Sequence, residues 1–423
     1  MLRWCCSLAF SRVWVALVMA AISPSSAIAA RTITLDEAVA RALKLAPSVE
    51  SAAAQSDLNH ARIDEARAPL FPSVSGNGEY YQPSGYDKTI SNGGLTQGQL
   101  ALSYTAFDGG RRSALLRAAR YVSQASTLGI KAAQAQVVFD TSVAYFDLLR
   151  RNEAQLELEV LLGSLTRYVK IVEALQQSGH AIANDVLTLR VAGNAAEVSL
   201  SAGRQAEAQA SAVLGSMIGD FGNTSLVPNE IALPPSPPTG NLAQSPAYQA
   251  AVRQVEAAKL AVDAAKAERF PNLNLTLTTG WQGVNPPKTF GHHFGASYDG
   301  AVTVPIFQGG LVRSHIDEAL AGEHAALAQQ KQIELQVKRD LADADVRYRG
   351  AGDQLAILRR SQQSARDAFA LEWTRFLGGG SATILEVTNA YEQIESLRLA
   401  YFDQEFNARQ ADAQGRMILG LLQ

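Results

Sequence analysis

Histidines, carboxylates and glycine-rich turns are the residues of this chain that could carry chemistry, and their spacing favours none of the common reactions. His292 and His293 are adjacent in a loop, where paired histidines rarely hold a metal, and the other histidines lack the H-x-x-x-H spacing of a zinc-binding helix. Gly109 and Gly110 are followed by arginines and not by the lysine of a phosphate-binding loop. The sequence also lacks a nucleophile elbow and a pair of catalytic carboxylates. We therefore predict a protein that is not an enzyme and that holds neither metal nor cofactor.

Two glycine pairs, Gly109–Gly110 and Gly309–Gly310, each end a stretch that alternates in polarity. The first stretch, Leu100–Arg112, reads LALSYTAFDGGRR, and the second, Gly300–Arg313, reads GAVTVPIFQGGLVR. Because side chains alternate across a strand, both stretches predict strands with one apolar face and one small or polar face. Each strand passes through Phe-x-Gly-Gly into a long stretch that lacks proline. The glycines predict turns without a Cβ clash, as hinges between strand and helix.

The first thirty residues predict a secretory signal peptide, which would be removed and would not be part of the mature fold. Arg3 and Arg12 flank a short n-region, Val13–Ile22 is apolar, and Ala27–Ala29 has the small-x-small pattern of a cleavage site. The apolar run is too short to span a bilayer, although a retained N-terminal anchor is the alternative. Both cysteines precede this run, so we expect a mature chain without cysteine.

The charge and hydropathy of the remaining chain restrict its partners. Removing the signal peptide leaves 35 basic residues against 40 acidic ones, a net charge of about −5. This balance predicts no nucleic-acid partner. No later apolar run approaches about 20 residues, so a spanning helix is not predicted. A mature protein that crosses a membrane would have to do so as strands.

Long helices are predicted where proline is missing. None of the fifteen prolines lies between Pro83 and Pro228 or after Pro305. A helix from Arg111 to about Gln177 would be about 100 Å long. The spacing of its distal apolar residues alternates between three and four, as in a coiled coil; they are Leu158, Leu161, Leu165, Tyr168, Val172 and Leu175. A turn at Ser178–His180 leads to a return helix that we expect to begin near Asn184-Asp185, with good N-cap chemistry.

The same plan occurs twice, about 200 residues apart. Phe71-Pro72 recurs as Phe270-Pro271 before the first strand of each pair, 199 residues later. The predicted units are a first repeat over 31–226 (β-hairpin about 72–107, helical hairpin about 111–218), a proline-rich linker over 227–242, and a second repeat over 243–423 (β-hairpin about 271–307, helical hairpin about 311–421). The second helical turn is expected at Gly378, Gly379 and Gly380, with the last helix starting at Ala382.

Four strands of roughly ten residues, apolar on one face and with aromatic residues near their ends, suit a transmembrane β-barrel. Four strands cannot close a barrel, and an open edge in lipid leaves backbone groups unpaired at several kcal/mol each. A spanning chain must therefore oligomerise, and three copies would supply twelve strands. The alternative is a small soluble sheet packed on helices.

In this order and at this spacing, the motifs resemble those of the TolC-like outer membrane factors, or outer membrane efflux proteins. The resemblance covers the mature chain and depends on Thr34–Ala38, both Phe-Pro pairs, both Phe-x-Gly-Gly turns, Ala144–Leu149, and Gly179 with Asp185–Leu187. It implies an α+β membrane protein with long antiparallel coiled-coil helices. Four β-strands per chain would contribute to a trimeric 12-stranded outer-membrane barrel, continued by a periplasmic α-helical tunnel.

The resemblance also implies a location, partners and a function. The homotrimer would lie in the lipid of a Gram-negative outer membrane, extend into the periplasm, and dock on a periplasmic adaptor and an inner-membrane pump of the RND or ABC type. It would be the passive exit duct of a tripartite efflux or type I secretion system, with drugs, metals or secreted proteins as cargo. A periplasmic adaptor with a long helical hairpin is the alternative, although an adaptor should contain a single hairpin. A secreted coiled-coil protein would leave the strands unexplained.

Site residues follow from the same resemblance. In the family, two carboxylates after the second tip ring the periplasmic aperture, and Glu386 and Asn389 occupy those positions; Asn389 departs from the pattern and halves the charge. Asp185 matches a carboxylate of a gate-closing link, but the expected arginine partner is Ala382, so a plain capping role explains Asp185 equally well. Gly179 and Gly378–Gly380 resemble the tips that adaptors contact, although a sharp helical turn also needs glycine.

Overall fold

The structure, a computed structural model, describes residues 31–85, 94–220, 226–228, 232, 240–284, 294–378 and 382–421. The predicted signal peptide, the His292-His293 pair, Gly379, Gly380 and most of the linker lie outside these residues. The elements in chain order are β1 (Arg31–Ile33), α1 (Leu35–Leu45), α2 (Pro47–Arg67), β2 (Ser73–Tyr81), β3 (Leu95–Phe107), α3 (Arg111–Gln177), α4 (Ala183–Ile218), β4 (Leu226–Pro228), α5 (Pro246–Ala267), β5 (Asn272–Val284), β6 (Phe294–Thr303), α6 (Leu311–Leu377) and α7 (Ile384–Leu419).

The long helices of the two repeats have equal lengths. Helices α3 and α6 each contain 67 residues, and α4 and α7 each contain 36. A helix of the longer kind extends about 100 Å. Within the described ranges, no helix is both long and apolar enough to cross a membrane.

The helix starts near the N-terminus follow from their capping residues. Thr34 is the N-cap of α1, and its hydroxyl accepts a hydrogen bond from the Glu37 N–H at 3.2 Å. Pro47 occupies the first turn of α2 and Pro246 that of α5, where the missing N–H costs nothing.

The four longer strands form one antiparallel sheet in the order β2-β3-β5-β6. Pairing of β3 with β5 joins the two repeats. The register places residues of one kind in each of two neighbouring cross-strand rows. One row consists of Val74, Leu102, Leu277 and Tyr298, and the next row consists of Ser73, Ser103, Thr276 and Asp299. Because neighbouring rows face opposite sides, the sheet has an apolar face and a polar face.

The described helices of the same chain leave the apolar face uncovered. Val74 is 69 % exposed, Tyr298 is 83 % exposed and Val302 is 64 % exposed. A small soluble sheet packed on helices would bury these side chains, so the structure opposes that alternative.

Two details of the strands differ from the sequence prediction. Strand β6 ends at Thr303, although the alternating pattern continues to Ile306. Thr303 pairs with Asn272, the first residue of β5, and Pro305 has no N–H with which to extend the ladder, which explains the early end. The short parallel pair of β1 and β4 was not predicted, because three residues are too few to show a periodic pattern.

Two parts of the helical core contain motifs that the sequence singles out. The Ala144–Leu149 motif lies in a cluster with α1 and α4, in which Tyr145 is fully buried and its hydroxyl donates to the Ile33 carbonyl at 3.0 Å. The predicted coiled-coil stripe of α3 forms the second part. Leu165 and Val172 are 2 % and 0 % exposed, and they pack with Leu189 of α4 and Val387 of α7.

Candidate functional site at the helical tips

The first tip is a tight turn between α3 and α4. Gly179 has a φ of 79°, a left-handed conformation that favours glycine. Its N–H donates to the Gln176 carbonyl at 3.0 Å, and the His180 N–H donates to the Leu175 carbonyl at 2.8 Å. These two bonds form a Schellman motif, which satisfies carbonyls that the end of α3 leaves unpaired.

Asp185 caps the helix that follows this turn, but not from the expected position. Helix α4 begins at Ala183, with Ile182 as its N-cap. The helix therefore begins near the predicted position, but the predicted N-cap role of Asn184 or Asp185 is wrong, because the N-cap is Ile182, which has no side-chain acceptor. Asp185 instead occupies the third helical position, where its Oδ2 accepts a hydrogen bond from the Ile182 N–H at 3.1 Å. A carboxylate there also interacts favourably with the helix dipole.

The second tip places Glu386 in a complete capping box. Helix α7 begins at Ile384 and not at Ala382, because the hydroxyl of Thr383 is the N-terminal acceptor, at 3.3 Å from the Glu386 N–H. The Glu386 carboxylate accepts from the Thr383 N–H at 2.7 Å and from its hydroxyl at 3.1 Å. Gly378, the described glycine of this turn, has a φ of −80°, so its backbone does not require glycine.

Asp185 and Glu386 are equivalent residues of the two repeats. Each is the third residue of its helix, and each carboxylate accepts from the N–H three residues earlier. Asn389 is exposed one helical turn after Glu386, on the same face. Each tip therefore presents one carboxylate that is already bonded to its own backbone.

The hydrogen bonds of Glu386 keep it charged. Donation from the backbone N–H of Thr383, then from its side chain, with the charge of Arg375 as a further contribution, lowers the pKa of Glu386 below its ordinary value of 4.5. A lowered pKa stabilises the folded tip above the pKa of the unfolded chain, and this stabilisation is lost as the pH falls through the lowered value.

Polar contacts that the sequence did not reveal join α3 of the first hairpin to α7 of the second. The Tyr391 hydroxyl donates to the Leu161 carbonyl. Farther from the tip, Arg398 forms a bidentate ion pair with Glu157, at 2.9 and 3.0 Å. The sequence gave no sign of these pairings, because the partners are more than 200 residues apart.

Aromatic side chains pack beside the Tyr391 bond. Tyr168 of α3 lies 4.6 Å from Trp373 and 5.3 Å from Phe369, both of α6, between ring centroids. Phe369 lies 6.0 Å from Tyr391. Contacts of this kind are worth about 0.5–1.5 kcal/mol per pair beyond area burial. The cluster therefore ties the two hairpins together close to the tips.

The four hinge glycines lie at the opposite ends of α3 and α6, a helix length from the tips. Gly109 and Gly110 have φ values of 66° and 88°, and Gly309 and Gly310 have values of 61° and 88°. All four adopt the left-handed conformation that glycine permits. The chain therefore turns in the same way at both strand-to-helix joints.

The first joint carries an additional clamp. Oδ2 of Asp108 accepts from the backbone N–H and from Nε of Arg112, both at 2.9 Å, and Nη1 of Arg112 donates to the Pro69 carbonyl at 2.6 Å. In the second repeat the corresponding residues are Gln308 and Val312, which cannot form this ion pair. The two joints therefore differ in side-chain restraint but not in backbone conformation.

No group of three or more histidine, cysteine, aspartate or glutamate residues that could hold a metal ion is present in the described part of the chain.

Comparison with known proteins agrees with this architecture. The family model for the outer membrane efflux protein matches residues 38–220 and 240–421, one range for each repeat. The toluene efflux pump outer membrane protein TtgF of Pseudomonas putida is 23 % identical over 376 residues, which cover 85 % of this chain and 74 % of that protein. The outer membrane efflux protein BepC of Brucella suis is 24 % identical over 407 residues, covering 92 % and 87 %.

The fold is also that of a solved outer membrane protein. The crystal structure of VceC from Vibrio cholerae superimposes with a TM-score of 0.81 at 20 % identity, covering 91 % of this chain and 96 % of that chain. The matched family is one of efflux proteins and not of enzymes. With both repeats matched, the chain belongs to the outer membrane efflux protein family.

Proposed function

We propose that three copies of this chain form the exit duct of an efflux pump in the outer membrane. The strands would build a twelve-stranded barrel, and the helical hairpins would continue it as a tunnel through the periplasm. The duct is passive, and a periplasmic adaptor with an inner-membrane pump of the RND or ABC type supplies the energy. The names of the relatives, which include a toluene pump, favour small organic molecules as cargo.

The two-faced sheet carries this proposal. Its apolar rows suit lipid and its polar rows suit a water-filled lumen, as alternating residues do in outer-membrane barrels. Among the described residues of one chain, both edge strands have no partner on their outer side, which lipid does not tolerate. The alternative of an adaptor is disfavoured by the two helical hairpins and by the match of the family model to both repeats.

Cell fractionation tests the proposal directly. We expect the protein in the outer membrane, as a trimer that resists detergent and dissociates on heating. Recovery from the soluble periplasm, or a detergent-extracted monomer, would contradict the proposed duct.

We further propose that Glu386 contributes to a ring of charge at the periplasmic aperture. Three like charges at close quarters favour cations over anions. Testing the charge alone requires a substitution that preserves the capping box. Glu386→Ala would remove both the charge and the cap, whereas Glu386→Gln removes the charge and retains a capping-box residue.

Glu386→Gln is expected to reduce the cation selectivity of the protein in planar bilayers, measured as the reversal potential in a salt gradient. Asn389→Asp, which adds a carboxylate to the same face, should increase it. Asp367→Asn is the matched control for loss of one charge. Asp367 is exposed and lies on α6 before its tip end, outside the capping box. An unchanged reversal potential in both Glu386→Gln and Asn389→Asp would remove this face from the aperture.

The pH dependence provides a separate prediction. The hydrogen bonds from Thr383 lower the pKa of Glu386, so removing one of these donors should raise the pH midpoint at which cation selectivity is lost. Thr383→Val removes the hydroxyl donor but keeps the backbone N–H, so the midpoint should move upward. A midpoint that is the same in both proteins would show that another group sets the selectivity.

A further inference from the structure

A cavity far from the helical tips takes no part in the proposed duct. Its volume is about 220 Å³, and it lies between α1, α3 and α7, close to the C-terminal end of α7. The three helices supply a mostly apolar wall, which includes Leu35, Val39, Val138, Phe139, Phe146 and Met417. A cavity of about 150 Å³ accommodates benzene, so this one has room for a molecule with a single aromatic ring.

The helices around the cavity are interior elements of one chain. Helix α3 packs against α1, α4 and α7, and α7 packs against both α3 and α6. The wall of the cavity therefore comes from helices that already have neighbours within the same chain. Its presence does not depend on how copies of the chain are arranged.

Charged side chains are buried at this cavity. Arg409 is 3 % exposed and Asp412 is 7 % exposed. Oδ2 of Asp412 accepts a hydrogen bond from Nε of Arg416 at 2.8 Å, and Nη2 of Arg409 donates to Oε1 of Glu405 at 3.0 Å. Burial raises the pKa of Asp412 above its ordinary value of 3.8, although Arg416 opposes this shift. Charges in such a place cost free energy, because they are removed from water.

The internal repeat shows that the helical hairpin does not require these charges. Helix α7 begins 201 residues after α4, at Ile384 and Ala183, and the two helices have the same length. In α4 the residues equivalent to Arg409, Asp412 and Arg416 are small and uncharged: Ala208, Ser211 and Gly215. The buried charges of α7 therefore need a reason other than helix formation.

Two hydrogen-bond acceptors at the cavity remain available. Oδ1 of Asp412 is buried and accepts no hydrogen bond from the described residues. Ser142, which is 6 % exposed, donates its hydroxyl to the Val138 carbonyl at 2.7 Å, so its oxygen can only accept a further bond. A ligand that suits the cavity must therefore carry a hydrogen-bond donor on an apolar body.

We propose that this cavity binds a small neutral aromatic alcohol of the phenol class. The aromatic ring contacts the apolar wall, and the hydroxyl donates to Oδ1 of Asp412. A neutral donor suits the site better than an ammonium group or a carboxylate, because the charges that line the cavity are balanced. They are the carboxylates of Asp36 and Asp412 and the guanidinium groups of Arg409 and Arg416.

Two probes that differ only in the hydroxyl, 4-ethylphenol and ethylbenzene, test this recognition. The hydroxyl must also leave water, so the informative quantity is the ratio of the two dissociation constants, measured by isothermal titration calorimetry on the purified protein in detergent. Asp412→Asn replaces a charged acceptor with an amide and should reduce the preference for 4-ethylphenol by about tenfold. The same ratio in wild type and in Asp412→Asn would overturn the contact with Asp412.

Filling the cavity gives an independent test that leaves the charged residues in place. Ala413 is half-buried and lines the cavity, so Ala413→Leu should abolish the binding of both probes. Ala212→Leu is the matched control, since Ala212 is the exposed equivalent in α4 and should leave both affinities unchanged. Binding that persists in Ala413→Leu, as partition into the detergent would, or that is lost equally in both variants, would overturn the site.

The outcomes separate this site from the proposed function. A trimer in the outer membrane that binds neither probe would overturn the site and leave the duct intact. A periplasmic monomer that binds 4-ethylphenol, and loses it in Ala413→Leu, would overturn the duct and support the site.

Discussion

Leu277→Arg should abolish assembly of the protein in the outer membrane, whereas Thr276→Arg, one residue earlier, should be tolerated. Leu277 lies in the apolar row between Leu102 and Tyr298, and Thr276 lies in the polar row between Ser103 and Asp299. An arginine on the lipid face of a barrel costs about 2–4 kcal/mol near the middle of the bilayer, and a lumen-facing arginine avoids this cost. Each copy in a ring would add the same penalty.

Outer-membrane fractions probed on semi-native gels provide the measurement. The two substitutions introduce the same residue into the same strand, so they differ only in the face of the sheet that receives the charge. Normal assembly of Leu277→Arg would mean that the apolar face does not contact lipid, and equal loss in both variants would assign the loss to a cause other than lipid contact. The second outcome would indicate that β5 tolerates no large side chain on either face.

Tyr391→Ala is expected to have the largest effect among substitutions in the helical part, with a loss of about 3–5 kcal/mol in the free energy of unfolding. Tyr391 is 5 % exposed, contacts Phe369, and donates its hydroxyl to the Leu161 carbonyl of the other hairpin. Tyr391→Phe removes only that donor, so it should cost about 0.5–1.5 kcal/mol. The difference between the variants separates ring packing from the hydrogen bond.

Denaturant unfolding followed by tryptophan fluorescence measures these losses, because Trp373 lies in the same aromatic cluster. Tyr401→Phe in the same helix is the control; its hydroxyl accepts from Arg359 within the second hairpin and does not join the two hairpins. Since Tyr391 ties the hairpins near the tip, both Tyr391 variants should also increase the resting conductance in planar bilayers. Stability equal to wild type in Tyr391→Ala would show that the cluster does not hold the hairpins together.

Much of the architecture could be predicted from local pattern. The alternation in Leu100–Thr105 and Leu273–Leu277 predicts two-faced strands, and the three-four spacing of Leu158–Val172 predicts a coiled-coil seam, because both periods follow directly from backbone geometry. The glycine pairs at 109–110 and 309–310 mark the joints for the same reason: their left-handed φ values suit a residue without Cβ.

Helix ends at the tips were harder to predict. The sequence favoured Asn184 or Asp185 as an N-cap, but Asp185 acts from the third helical position, through a bond to the Ile182 N–H. Thr383 and Glu386 form a capping box whose four-residue spacing is visible in the sequence.

The two-faced strands, the long helices and the glycine joints can be predicted because each depends on residues close together in the chain, and the repeat is recognised because these patterns recur in the same order. The pairing of residues between hairpins, such as Tyr391 with Leu161 and Arg398 with Glu157, is known only from the tertiary structure. The tertiary structure also shows that Gly109 is covered by Phe270 while Gly309 is open. Contacts between residues some 160 or more positions apart depend on how the repeats are placed in space, and no local period encodes that placement.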